Sequence, residues 1–187
     1  MSLTIKNVNL ESLLAKLRRG TLEEKAEALK QTREISHALG SAAVEALITS
    51  EAKYPIADRL VAFGSSIIDP LESAFYKTKD EDVKVLAATV LLRVGCRDQN
   101  VSNYLVEALK RGSPYLGMIT WVLGSCGIKE ASEVLEDWLS KWDFVADPYT
   151  SASLIGALKQ LGGDQSSILV SLRKQELPQN IRLALAS

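Results

Sequence analysis

The chain is predicted to be all-α, an α-solenoid of about five helical hairpins with capping helices at its ends. Three observations carry this expectation. Apolar residues recur at the 3.6-residue spacing of an amphipathic helix in one segment after another, and no strand pattern interrupts them. Glycines stand where first helices should end, and Gly40, Gly64, Gly95, Gly127 and Gly162 fall 24, 31, 32 and 35 residues apart. All five prolines, Pro55, Pro70, Pro114, Pro148 and Pro178, stand where a helix should begin, a position that tolerates the missing N–H. One hairpin of this size cannot bury its own apolar face, so the copies must stack on one another.

The clearest copy runs from Asp80 to Arg111. Val83, Leu86, Ala87, Val90, Leu91 and Val94 form one stripe, Asp80 or Asp82 can cap its start, and Gly95 can stop it in the left-handed conformation that a Cβ disfavours. Val101, Tyr104, Leu105, Ala108 and Leu109 repeat the spacing up to Gly112. The first helix reads D-x-x-V-K-x-x-A-A-x-x-L-L-x-V-G and resembles the HEAT-repeat pattern, most nearly the short Ala-rich repeats of the phycobilin-lyase-like type. The resemblance implies a right-handed solenoid whose second helices line a concave face. It also implies an Asp–Arg ladder between repeats; Lys84 replaces the Arg, and a point charge should make that ladder looser than a planar guanidinium would.

The remaining elements follow in order. A cap helix over about 9–19 has Asn9 as its N-cap and Leu10, Leu13, Leu14 and Leu17 as its stripe, ending at Gly20. Repeat one, about 21–51, opens on a Thr21/Glu24 capping box. Its first helix, with Leu22, Ala26, Leu29, Ile35 and Leu39, should stop at Gly40, and a short partner with Val44, Leu47 and Ile48 should start at Ser41. Repeat two (about 55–78) pairs 55–63 with 67–78, and repeat three (about 81–111) pairs 81–94 with 99–111. Repeat four (about 114–142) pairs 114–126 with 129–142, and repeat five (about 148–175) pairs 148–161 with 165–175. Asp69, Ser113 and Asp147 precede prolines as expected N-caps. The segment 178–187 reads as one more first helix, either a cap or the start of a further repeat.

Composition narrows the classes. The 187 residues are 47% hydrophobic, enough to bury a sizeable core as a single domain. Lys and Arg number 22 against 23 Asp and Glu, a balance that gives no field for nucleic acid or an anionic membrane. Neither a membrane-length apolar run nor a signal-peptide pattern appears, so a cytoplasmic protein is expected. Cys96 and Cys126 are too few for a disulfide framework or a four-thiolate zinc site and read as two small buried thiols. His37, the sole histidine, has no partners at metal-ligand or triad spacing, and no phosphate-loop motif occurs. No catalytic residue, cofactor or metal is expected.

The segment 113–147 holds Lys129 and Lys141 against Glu130, Glu133, Glu136, Asp137, Asp143 and Asp147, a net charge of −4. By the resemblance, Glu133, Glu136 and Asp137 face the groove together with Tyr76, Asn103 and Glu107, and a basic protein partner would suit them. The same acids are what any solvated helix face carries, and both readings stay open from sequence. Trp138 continues the apolar stripe as core; Trp142, with Phe144 and Tyr149 following, suits either core or contact.

The expected function is therefore a non-enzymatic protein–protein interaction module: a scaffold, an adaptor or an inhibitor of a basic partner. The resemblance also admits a phycobilin lyase-like protein or bilin chaperone, which would bind pigment. A HEAT-like DNA glycosylase would need a basic concave face, and only Lys16, Arg18 and Arg19 cluster as cations.

Overall fold

The computed structural model describes residues 10–51, 53–143 and 146–186. Asn9 and Phe144 lie outside these, as does the side chain of Ile35. Every regular element among the described residues is helical: α1 (Leu10–Arg19), α2 (Leu22–Thr49), α3 (Lys53–Leu60), α4 (Ile68–Lys77), α5 (Glu81–Arg93), α6 (Gln99–Lys110), α7 (Leu116–Ser125), α8 (Ser132–Lys141), α9 (Pro148–Gln160), α10 (Ser167–Leu172) and α11 (Gln179–Ala186). Short 3-10 segments occupy Val61–Ile67, Lys129–Ala131 and Gly163–Gln165.

Local chemistry sets many of these boundaries. Thr21 and Glu24 form the expected capping box on α2, the Val83 N–H donates to Asp80 at 3.1 Å at the head of α5, and the Thr150 N–H donates to Asp147 at 3.0 Å before Pro148 opens α9. Gly64, Gly95, Gly112, Gly127 and Gly162 all have positive φ, which L side chains disfavour and which turns the chain out of each helix.

Gly40 does not behave this way. α2 runs through it for 28 residues, so the hairpin expected over 21–51 is one long helix. Nor does packing require the bare Cα, since a Cβ there would make ordinary contact at 3.4 Å from the Ser66 carbonyl oxygen and 3.9 Å from Pro70 Cγ. Pro70 and Asp69 are also displaced from their expected roles. α4 starts at Ile68 with no side-chain cap, so Pro70 is its third residue, where no intrahelical partner awaits an N–H. Likewise Pro55 is the third residue of α3. Pro114 stays in the turn before α7, where Ser113 Oγ accepts from the Tyr115 N–H at 3.3 Å.

The helices pack against one another in a recurring order. α3, α5, α7, α9 and α11 contact one another in succession, and α4, α6 and α8 each pack on the helix that follows, namely α5, α7 and α9. α6 also packs against α5, and α6, α8 and α10 touch in turn. A continuous apolar core from Val44 to Leu185 joins them, with Leu86, Leu91, Leu105, Ile119, Leu123 and Leu135 fully buried. Ala87 and Ala88 are fully buried as well. At Gly124 a Cβ would come within 2.7 Å of Ala157 Cα, so the bare backbone lets α7 and α9 approach closely. No helix among the described residues is long and apolar enough to cross a membrane.

Lys84 departs from the expected ladder. Its ammonium lies 5.4 Å from the Phe75 ring centroid and 5.1 Å from that of Tyr104, a cation–π arrangement. Ion pairs between hairpins come from other residues, Lys53 with Asp80 at 3.4 Å and Arg93 with Asp58 at 2.9 Å, while Arg111 pairs with Glu81 at 3.8 Å within the α5–α6 hairpin.

Candidate functional site

The sequence-derived candidates sit on the solvent sides of α4, α6 and α8, opposite the stripes these helices bury. On α4, Leu71, Ala74 and Phe75 are buried while Tyr76 is exposed. The Tyr76 hydroxyl donates to Asp98 Oδ2 and accepts from Asn100 Nδ2 at 3.4 Å. The hydrogen bond to Asp98 holds the phenol above its usual range and Asp98 below the usual carboxylate range. Tyr76 is thereby tied to the head of α6.

On α6, Asn103 and Glu107 are exposed. Asn103 accepts from Gln99 at 3.0 Å, and Glu107 pairs with Lys110 at 2.6 Å. On α8, Glu133 and Asp137 are exposed and Glu136 is half-buried. Asp137 pairs with Lys141 at 2.5 Å. Two of the four acids proposed for this face, Glu107 and Asp137, are thus locally neutralised. Glu133 and Glu136 have no cation within ion-pair distance among the described residues.

Trp142 is half-buried just beyond α8. Its indole N–H donates to the Asp147 carbonyl at 3.5 Å, and its ring meets Trp138 edge to face at 5.4 Å. Trp138 is half-buried, with its N–H on the Leu109 carbonyl at 2.9 Å, so it joins α8 to the end of α6 while its ring packs against the core. Trp142 belongs with the structural pair rather than with the exposed acids.

The two thiols differ. Cys96 is buried, donates to Glu72 at 3.2 Å and accepts weakly from the Asp98 N–H at 3.5 Å. Cys126 is exposed, which corrects the expectation of two buried thiols: it is the C-cap residue of α7 and lies off that helix's buried stripe. Burial raises the pKa of Cys96 above the ordinary thiol value, which favours the neutral thiol over the nucleophilic thiolate. Among the described residues no three His, Cys, Asp or Glu side chains gather as a metal site would require.

The structure also assembles two grooves that the sequence reading did not single out. One, about 630 Å³, lies between α2 and α4, with Val44, Ile48, Pro70 and Ala74 among its walls. The other, about 310 Å³, crosses α3, α5 and α7 and includes Tyr54, Arg93, Met118 and Trp121. A signal for the second exists in the sequence: Trp121 falls off the stripe of Leu116, Ile119, Thr120 and Leu123, so it must point away from the core that α7 buries.

Comparison with protein-family models, with curated proteins and with solved structures finds no match for the chain.

Proposed function

We propose that the protein is a non-enzymatic interaction module: a HEAT-like, right-handed solenoid whose second helices α4, α6 and α8 present the partner-binding face. The observation that carries this reading is the division of those helices. Each buries one apolar stripe and leaves on its other side a polar, predominantly acidic set comprising Tyr76, Asn103, Glu107, Glu133, Glu136 and Asp137. A basic protein surface complements that set. Exposed charges of this kind govern orientation and association rate more than affinity, so Glu133 and Glu136, which no local lysine neutralises, dominate the attraction.

The test starts with affinity capture from host lysate, identification of the bound proteins, and measurement of binding to the purified partner at several salt concentrations. Changing Glu133, Glu136 and Asp137 together to Lys should weaken binding and flatten its salt dependence while leaving the melting curve in place. Unchanged affinity and salt slope in the triple variant would remove the acidic face from consideration. A visible absorbance spectrum of the captured material distinguishes the bilin-binding alternative, which requires a coloured eluate.

A further inference from the structure

The groove across α3, α5 and α7 draws on helices other than α4, α6 and α8, and its composition differs from that of the acidic face. Tyr54 on α3 is 53% exposed and Trp121 on α7 is 48% exposed; Met118 is half-buried beside Trp121. The lining also includes the buried Ala57, Thr89 and Val90, and Gly117 contributes no side chain. Tyr, Trp, Met and Arg are the types enriched at the buried centres of protein interfaces, whereas Glu and Asp are depleted there. The composition of this groove is closer to that of a buried interface centre than the composition of the acidic face is.

Arg93 gives the groove its chemistry. Its side chain is only 21% exposed, and two contacts fix its guanidinium: Nη1 donates to Asp58 Oδ1 at 2.9 Å, and the group stacks on the Trp121 ring at 5.2 Å. Neither contact uses the donors on Nη2 and Nε. A guanidinium held in this way offers a planar, two-donor edge matched to a carboxylate, with little ordering left to do on binding. Asp58 is 64% exposed, so water screens much of its repulsion for an incoming anion. The apolar walls beside that edge accommodate a side chain adjacent to the carboxylate.

We propose that this groove docks a short partner segment in which an acidic residue stands next to a large apolar one. Arg93 receives the carboxylate, and Tyr54, Met118 and Trp121 enclose the apolar side chain. The inference is independent of the acidic-face reading, because it involves different helices and a partner group of opposite charge.

The experiment is selection of a short random-peptide display library on the full chain, with counter-selection on the Trp121→Ala variant. Recovered peptides are then measured by fluorescence anisotropy. Asp or Glu beside Leu, Phe or Trp should dominate the recovered sequences. Replacing that acid by its amide should weaken binding about tenfold or more, the scale of one lost charge-assisted contact. Arg93→Gln should abolish the difference between acid and amide peptides, while Arg93→Lys should restore part of it. Tyr54→Ala, at an exposed site, should weaken both peptides alike and serves as the second variant if Arg93→Gln alters the melting curve. Failure to recover binders, recovery without an acidic preference, or an acid–amide difference that survives Arg93→Gln would each overturn the proposal.

Discussion

Asp80 and Tyr104 show opposite couplings between protonation and folding within one hairpin. The Asp80 carboxylate accepts the Val83 N–H at 3.1 Å, and that bond, with Lys53 nearby, holds its pKa below the usual carboxylate value. Its contribution is present above the unfolded-state value near 4 and is lost as pH falls through the depressed folded value. Asp80→Ala should therefore destabilise by about 1 kcal/mol at neutral pH, and denaturant melts of the two proteins should converge in acid. Tyr104 has the reverse sign. Burial, then the 2.5 Å hydrogen bond to Glu81, raises its pKa, so its contribution is full below about pH 10 and is lost as pH rises toward the elevated folded value. Alkaline melts of Tyr104→Phe should show a shallower decline than wild type; parallel curves would mean that the phenol is not coupled to folding. The cap was legible in the sequence only as Asp80 or Asp82, since both stand within a turn of the helix start, and the structure selects Asp80. The Tyr104–Glu81 bond spans 23 residues, and nothing local announces it. The neutralised acids were legible too: Glu107 with Lys110 and Asp137 with Lys141 stand at i, i+3 and i, i+4, spacings at which side chains meet on a helix.

Elements rather than single side chains decide what a glycine does. Gly95, Gly112, Gly127 and Gly162 adopt the positive φ that the pattern predicts, because each follows the last apolar position of its stripe and turns the chain toward the next element. Gly40 carried the same sequence signal, yet α2 continues, since the residues after it, including Val44 and Leu47, are buried against α3 and α4 and extend the buried face. Its backbone is helical, and a Cβ would make only ordinary contact with Ser66 and Pro70. Gly40→Ala should therefore be neutral or stabilise by up to about 1 kcal/mol through helix propensity. Gly124 looks similar in sequence but faces the backbone of α9, where a Cβ would meet Ala157 Cα at 2.7 Å and Ala157 Cβ at 2.8 Å. Gly124→Ala must push α7 from α9 and should destabilise by about 1–3 kcal/mol. Thermal melts of the two variants should move in different directions; a shared direction would mean that propensity or packing alone governs both sites. The helix content was readable because periodicity is local. The close approach of α7 and α9 at Gly124 was not, since it depends on which backbone a bare Cα faces.

For the whole molecule, the proposed stacking makes a claim that a single-core bundle does not. In a stack each hairpin is stabilised chiefly by its neighbours, so a perturbation at one end should fade along the chain. α11 is the end to perturb. Ile181 and Leu185 are buried, α11 packs on α9, and Lys159 donates to the Leu185 carbonyl at 3.2 Å. Ending the chain before Pro178 would uncover the face of α9 that receives those side chains. Amide hydrogen exchange should then show lost protection in α9 and α10, a smaller loss in α7, and little change in α5 and α6. A uniform loss through α3 to α10 would instead identify one cooperative core and would remove the basis for treating α4, α6 and α8 as successive units of a binding face. The same measurement constrains the groove at Arg93, which draws on α3, α5 and α7. If protection there survives the truncation, the geometry that fixes the guanidinium between Asp58 and Trp121 belongs to the central hairpins and does not depend on the C-terminal end.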